Sequence, residues 1–201
     1  MKHIFNKYCF VISLIFFMPV SAFADNNESI SLPVNELHNT LLEVMKLDGK
    51  EQFESRVKLL EPVVSNSFDF TYIARIVTGR EWKKLEEADQ QRFISLFHTL
   101  TVATYAKRFD AYNNETFITS SVEPLKNNRH LVRTTLNTTD ETVSLDYIVQ
   151  EDDSNWKIIN VVANGVSDLS LKRTEYRKLI KESGFEYLLE EIQAQITAQK
   201  Q

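Results

Sequence analysis

The sequence predicts an α+β fold in which helices lead into a curved, four-stranded antiparallel sheet and further helices close the chain. Three observations predict it. Apolar residues recur at helical spacing before residue 113 and again after residue 167. Between them lie four runs of strand character joined by short polar turns, the pattern of an antiparallel meander. The last of these runs, 156–163, is largely apolar on both faces, with Trp156, Ile158, Asn160 and Val162 on one side and Lys157, Ile159, Val161 and Ala163 on the other. A strand of that kind must be covered on both sides or must line a cavity.

A leader precedes the fold. Lys2 and Lys7 make a basic start, Cys9 to Val20 is an apolar run, and Ala22-Phe23-Ala24 is an A-x-A cleavage site, so residues 1–24 read as a secretory signal peptide. The run is shorter than the roughly 20 residues a membrane-spanning helix needs. Residues 25–201 then form one domain, and with 43% hydrophobic residues the chain can build a core without staples. The single cysteine, Cys9, leaves with the leader. The mature chain therefore makes no disulfide, no Cys-ligated metal site and no Cys nucleophile, and an exported protein of that kind suits a bacterial periplasm. Removing two of the 23 Lys and Arg, with all 28 Asp and Glu kept, shifts the net charge from −5 to about −7. That balance argues against nucleic acid and against resting on an anionic membrane surface.

In the mature chain, Val34, Leu37, Leu41, Leu42 and Val44 or Met45 give a helix over 32–47 that Asp48-Gly49 stops. Phe53, Val57, Leu59 and Leu60 give a second, ending near Pro62. Asp69 stands as N-cap to a short helix with Phe70, Ile73, Ala74 and Val77 on one face, and Gly79 closes it. Phe68, Phe70, Tyr72 and Trp82 crowd four aromatics around that helix; they serve equally well as a packing anchor or as the wall of a ligand cavity. The longest helix is expected over 85–112, with an apolar arc wide enough to contact two layers. Strands follow at 117–122, 131–137, 142–150 and 156–163, then a sharp corner at Asn164-Gly165. Asp168 caps a helix that ends at Gly184, and residues 185–198 form the last one.

Most catalytic signatures are missing. His38, His98 and His130 have no metal-ligand spacing, and no phosphate loop, nucleotide fingerprint or nucleophile elbow is present, so no metal and no cofactor is expected. Asp69 and Asp146 are the acids placed nearest the interior, but an N-cap and a polar strand face each account for one without catalysis. Lys172, Arg173, Arg177, Lys178 and Lys181 make one helix basic in an acidic protein. That is either a solvated face or a docking patch for acidic partners or lipid phosphates.

Phe68-Asp69-Phe70, Ile73-Ala74-Arg75, Gly79, Trp82, the Gln90, Phe93, Phe97 and Tyr105-Ala106 helix, and the Trp156-Lys157-Ile158 strand running into Gly165-Val166-Ser167 together resemble the MlaC family. These are periplasmic substrate-binding components of lipid ABC transport systems, also called toluene-tolerance auxiliary proteins. The stretch from Ala163 to Leu169, with Leu171-Lys172-Arg173 and Tyr176 after it, looks more like the hopanoid-associated branch, HpnM. Asn160 stands where the family often has Asp. The resemblance implies a non-enzymatic carrier that holds acyl chains of a phospholipid or hopanoid-type lipid in an apolar cavity between sheet and helices. It further implies transfer between an inner-membrane ABC transporter complex and an outer-membrane lipoprotein complex. On this reading Phe70, Ile73, Val77, Tyr105, Phe109, Tyr147, Ile158 and Val161 form the lipid-binding wall, and Lys172, Arg173 and Arg177 dock partners. Two rivals stand beside it. A small lipid-processing enzyme would need Asp69 or Asp146 to converge with a tyrosine at the cavity floor. A ligand-free transporter adaptor would close into a solid core.

Overall fold

The computed structural model describes residues 22–47, 49–153 and 155–200. Most of the expected leader, and Asp48 of the expected helix stop, lie outside the described residues. Six α-helices and five strands follow in the order α1 (Ala22–Met45), α2 (Phe53–Ser67), α3 (Phe70–Thr78), α4 (Glu87–Arg108), β1 (Thr116–Leu125), β2 (Arg129–Asn137), β3 (Thr142–Asp152), β4 (Asn155–Ala163), β5 (Val166–Ser167), α5 (Asp168–Ser183) and α6 (Phe185–Gln199). Among the described residues no helix is long and apolar enough to cross a membrane.

The strands lie side by side in chain order, each antiparallel to the next. The sheet thus has five strands where four were expected. The added strand is only two residues long. Asn164 and Gly165 both take positive φ, 48° and 79°, which makes the corner a hairpin turn and returns Val166 and Ser167 alongside Ala163 and Val162. An Asn-Gly pair is the strongest short hairpin signal because both residues tolerate that backbone region. Asn164 also pairs with Ser144, donating its N–H to the Ser144 carbonyl at 2.9 Å and accepting the Ser144 N–H on Oδ1 at 3.1 Å. Register shifts between Thr119 and Ser121 and between Ile148 and Val149 bend the strands.

α1, α2, α3 and α5 pack against β4, with α1 reaching β1 and β2 as well, while α4 sits on α2, α3 and α6. Helix limits moved in three places. α1 starts ahead of the expected residue 32 and contains Pro33, anchored by the buried Ile30. α2 runs through Pro62 to Ser67, because burying Val64 completely compensates for the backbone hydrogen bond that proline removes. α4 ends at Arg108, so that α1 rather than α4 is the longest helix.

Among the described residues, one charged side chain lies in the core. Arg56 is 1% exposed and donates to three carbonyls: Nε to Ala106 at 2.8 Å, and Nη1 to Leu47 at 2.7 Å and Gly49 at 2.9 Å. The guanidinium ties the ends of α1 and α4 to α2.

Candidate functional site

The site begins on β4. Ile159, which has no partner on β3 between the pairs Ile148–Asn160 and Val149–Ile158, lines a cavity together with Val161 and Ala163, two and four residues farther along the same face. Asn160, between them, is 8% exposed, and its Oδ1 accepts two hydrogen bonds at 3.1 Å, from the Ser167 hydroxyl and the Leu169 N–H. That oxygen fixes the start of α5 over the strand. Ser167, rather than the expected Asp168, is the N-cap, accepting from the Ser170 N–H at 3.1 Å. Asp168 takes the first-turn position, where the helix dipole favours a carboxylate.

Farther along, α5 is clamped to α3. Arg177 Nη2 donates to the Ile76 carbonyl at 2.8 Å, and its guanidinium lies so close to Gly79 that a Cβ there would stand 2.6 Å from Cζ. Gly79 also has φ 68°, a backbone region that strains any side chain, and a side chain there would have to displace the Arg177 guanidinium. α5 is thus held at its start and its middle. A space of about 310 Å³ stays open between β4, α5, α3 and the C-terminal half of α4.

Phe68, Phe70, Ile73, Phe97, Leu100 and Leu169 give much of its apolar wall, with Tyr105, Phe109 and Leu145 adding to it. Tyr105 feels the rim directly: burial holds its hydroxyl well above the ordinary tyrosine range, the Asp168 carboxylate adds to this, and Arg108 opposes it. At the rim stand the exposed Arg108 and Asp168, and two apolar side chains left in solvent, Val166 at 53% and Leu171 at 58%. Lys172 also lines the space, with Nζ 5.8 Å from the ring centres of Phe97 and Tyr176 and 3.9 Å from Asp168 Oδ1. Two cations, one carboxylate and two exposed apolar groups therefore surround a greasy interior.

Against this geometry the comparisons decide the family. The family described as MlaC protein matches residues 35–194. The chain belongs to the MlaC family. Among solved structures, this family member is similar to the phospholipid-binding protein from Ralstonia solanacearum in complex with a phospholipid, at TM-score 0.74 and 19% identity, over 87% of this chain and 98% of that one. At that identity the likeness shows a shared fold. No curated protein matches the chain by sequence.

Of the eight wall residues expected from sequence, this MlaC protein brings Phe70, Ile73, Tyr105, Phe109 and Val161 together around the cavity. Val77, Tyr147 and Ile158 are fully buried and are not part of its lining. Tyr147 instead hydrogen-bonds His38 Nε2 at 3.0 Å, while Ile158 accepts the Asp69 N–H at 3.0 Å. Of the three expected docking residues, Lys172 lines the cavity, Arg177 is half-buried against α3 and Arg173 is exposed. Arg80 completes that region: burial chiefly, with the charges of Arg173 and Arg80, lowers the Arg177 pKa. The sequence reading missed Arg108, Asp168, Leu169 and Leu171 as lining, although all four flank elements it had placed on the site. Of the acids weighed for catalysis, Asp69 caps α3 by accepting the Tyr72 N–H at 2.7 Å, and Asp146 faces Arg133 at 3.4 Å and the Thr134 N–H at 3.2 Å.

Proposed function

We propose that this protein is a non-enzymatic carrier of phospholipid in the periplasm, exported by a leader cleaved after Ala24. The observation that carries the reading is the aromatic and aliphatic cavity whose opening holds Arg108 and Lys172. Each methylene withdrawn from water gains about 0.8 kcal/mol, so acyl chains lying against Ile73, Phe97 and Val161 hold a lipid without any reacting group. The phosphate then sits between Arg108 and Lys172, half in solvent. The fold shared with the Ralstonia solanacearum phospholipid-binding protein supports the same assignment. The resemblance to the hopanoid-associated branch makes a hopanoid-type lipid the alternative cargo, but two cations at the rim favour a phosphate-bearing one. The exposed Arg173, with Arg177 and Arg80 beside it, is the face we assign to docking on an inner-membrane ABC transporter complex. Delivery to or from an outer-membrane lipoprotein complex completes the cycle.

Native mass spectrometry of protein purified from the periplasm tests the reading. A bound mass of phospholipid size is expected on the wild type. Val161→Arg, which places a charge in the middle of the wall, is expected to remove it at normal yield. A wild type that carries no lipid, or a variant that keeps it, counts against the assignment.

A further inference from the structure

Among the described residues, Phe68 and Phe70 are the two that line both the cavity and a second space. On one side is the apolar cavity. On the other is a groove of about 390 Å³ bounded by the first turn of α3, by Ser95 and His98 of α4, and by Asp152 and Lys157 at the far end of the sheet. The chemistry shifts across the two rings: the cavity side is mainly aliphatic and aromatic, with Thr101 and Thr104 in its wall and the charges at its rim, whereas the groove side carries Ser65, Asp69, Thr71, Ser95, Asp152 and Lys157.

The partition is fixed by its backbone. The Phe68 N–H donates to Val64 at 3.2 Å, Phe68 forms a β-bridge with Ile158, and the Asp69 N–H donates to the Ile158 carbonyl at 3.0 Å. The rings hold one another, with centres 5.7 Å apart, and Phe70 meets Phe97 edge-on at 6.0 Å and His98 at 5.1 Å. These two side chains are shared by the walls of both spaces.

We infer that Phe68 and Phe70 are the end wall that sets the longest acyl chain the cavity accepts. This rests on the carrier reading above and adds a length limit to it. Each methylene that stays on the apolar side tightens binding about four-fold, whereas a methylene forced past the rings enters polar surroundings and adds nothing. The cavity is at the small end of the roughly 300–1,000 Å³ range of ligand sites, so length is the dimension that runs out.

Lysophosphatidylcholines of graded saturated chain length, competed against a fluorescent fatty acid on the mature protein, test this. Affinity of the wild type is expected to rise about four-fold per methylene to a break length and then stay flat. Phe70→Ala is expected to move the break at least two methylenes longer, and Phe70→Trp to move it shorter. If the alanine variant fails to fold, Phe70→Leu with the Trp variant carries the same comparison. A break at the same length in folded variants, or wild-type binding with no break at all, overturns the end wall while leaving the carrier reading in place. No binding of any chain by folded wild type overturns both.

Discussion

Where α1 and α2 meet the sheet, side chains close completely. Val34, Leu37, Leu41, Leu60 and Val64 expose nothing, and the polar groups among them, Arg56 and the His38–Tyr147 pair, find their partners inside. Between β4, α5, α3 and α4, residues of the same kinds stop short of one another and leave about 310 Å³. Here the polar groups, Arg108, Asp168 and Lys172, stand at the opening. Composition does not separate the two regions. α1, α2 and α5 all pack on β4; what marks the open region is that α5 is also tethered by side-chain hydrogen bonds at Asn160 and at the Ile76 carbonyl, and α4 at the Arg56–Ala106 hydrogen bond. A cavity persists when the helices around it are fixed by polar contacts elsewhere and cannot collapse to fill it.

The largest expected effect comes from breaking the closed region. Arg56→Ala removes the donors to the Ala106 and Leu47 carbonyls, leaves the Gly49 carbonyl with only the Gln52 N–H, and empties the space of a large side chain, at a cost of about 3 to 5 kcal/mol. Urea denaturation measures it. Because Arg56 also holds the end of α4 beside Tyr105 and Phe109, the variant should lose lipid as well. A loss under about 1 kcal/mol would mean that water takes over the carbonyls and that the region is not closed.

Acid sharpens the same contrast. Burial lowers the His38 pKa from 6.5 to about 4, so the folded protein keeps this ring neutral while the unfolded chain protonates it. Between those values the unfolded state binds more protons, so its contribution to stability is complete above pH 6.5 and is lost as the pH falls toward 4. The total is about 3 kcal/mol. Unfolding free energies of wild type and His38→Gln across that range should converge at the acid end, with the variant's dependence flatter. Parallel curves would show that His38 is already charged in the fold or reached by water.

Much of this architecture was legible in the sequence, and the failures have particular causes. Helical spacing marked α2, α3 and α4 to within a few residues because each buries a defined stripe, as Phe93, Phe97 and Leu100 do in α4. Burial of Val64 carried α2 through Pro62 against local preference, which no window of neighbouring residues contains. The fifth strand was announced by Asn164-Gly165 and overlooked because the corner was read as leading straight into a helix. At the site, alternation along β4 already set Ile159, Val161 and Ala163 on one face and Ile158 on the other, and Ile158 was nonetheless placed in the wall beside Val161, whereas it is buried in the core. Period-two alternation places a residue on a face but does not say where along the strand that face leaves the core. Val77 and Tyr147 went the same way, since core and cavity walls draw on the same side chains.

The smallest expected effect belongs to the rim, and its salt dependence tests whether the open region is electrostatically different from the closed one. Lys172 is 3.9 Å from an exposed carboxylate and lies over two aromatic rings, a geometry in which neither partner is strongly bound. Lys172→Gln should therefore leave folding stability unchanged within about 0.5 kcal/mol. It should weaken binding of phosphatidylglycerol about two- to five-fold at low salt, the worth of one partly solvated charge against a phosphate. At high salt the difference should shrink, because screening weakens the contribution of a partly solvated cation and leaves the acyl contacts intact. A salt-independent loss would make Lys172 part of the apolar wall through its methylene stem. No loss at either salt would place the phosphate elsewhere on the rim, with Arg108 as the remaining cation.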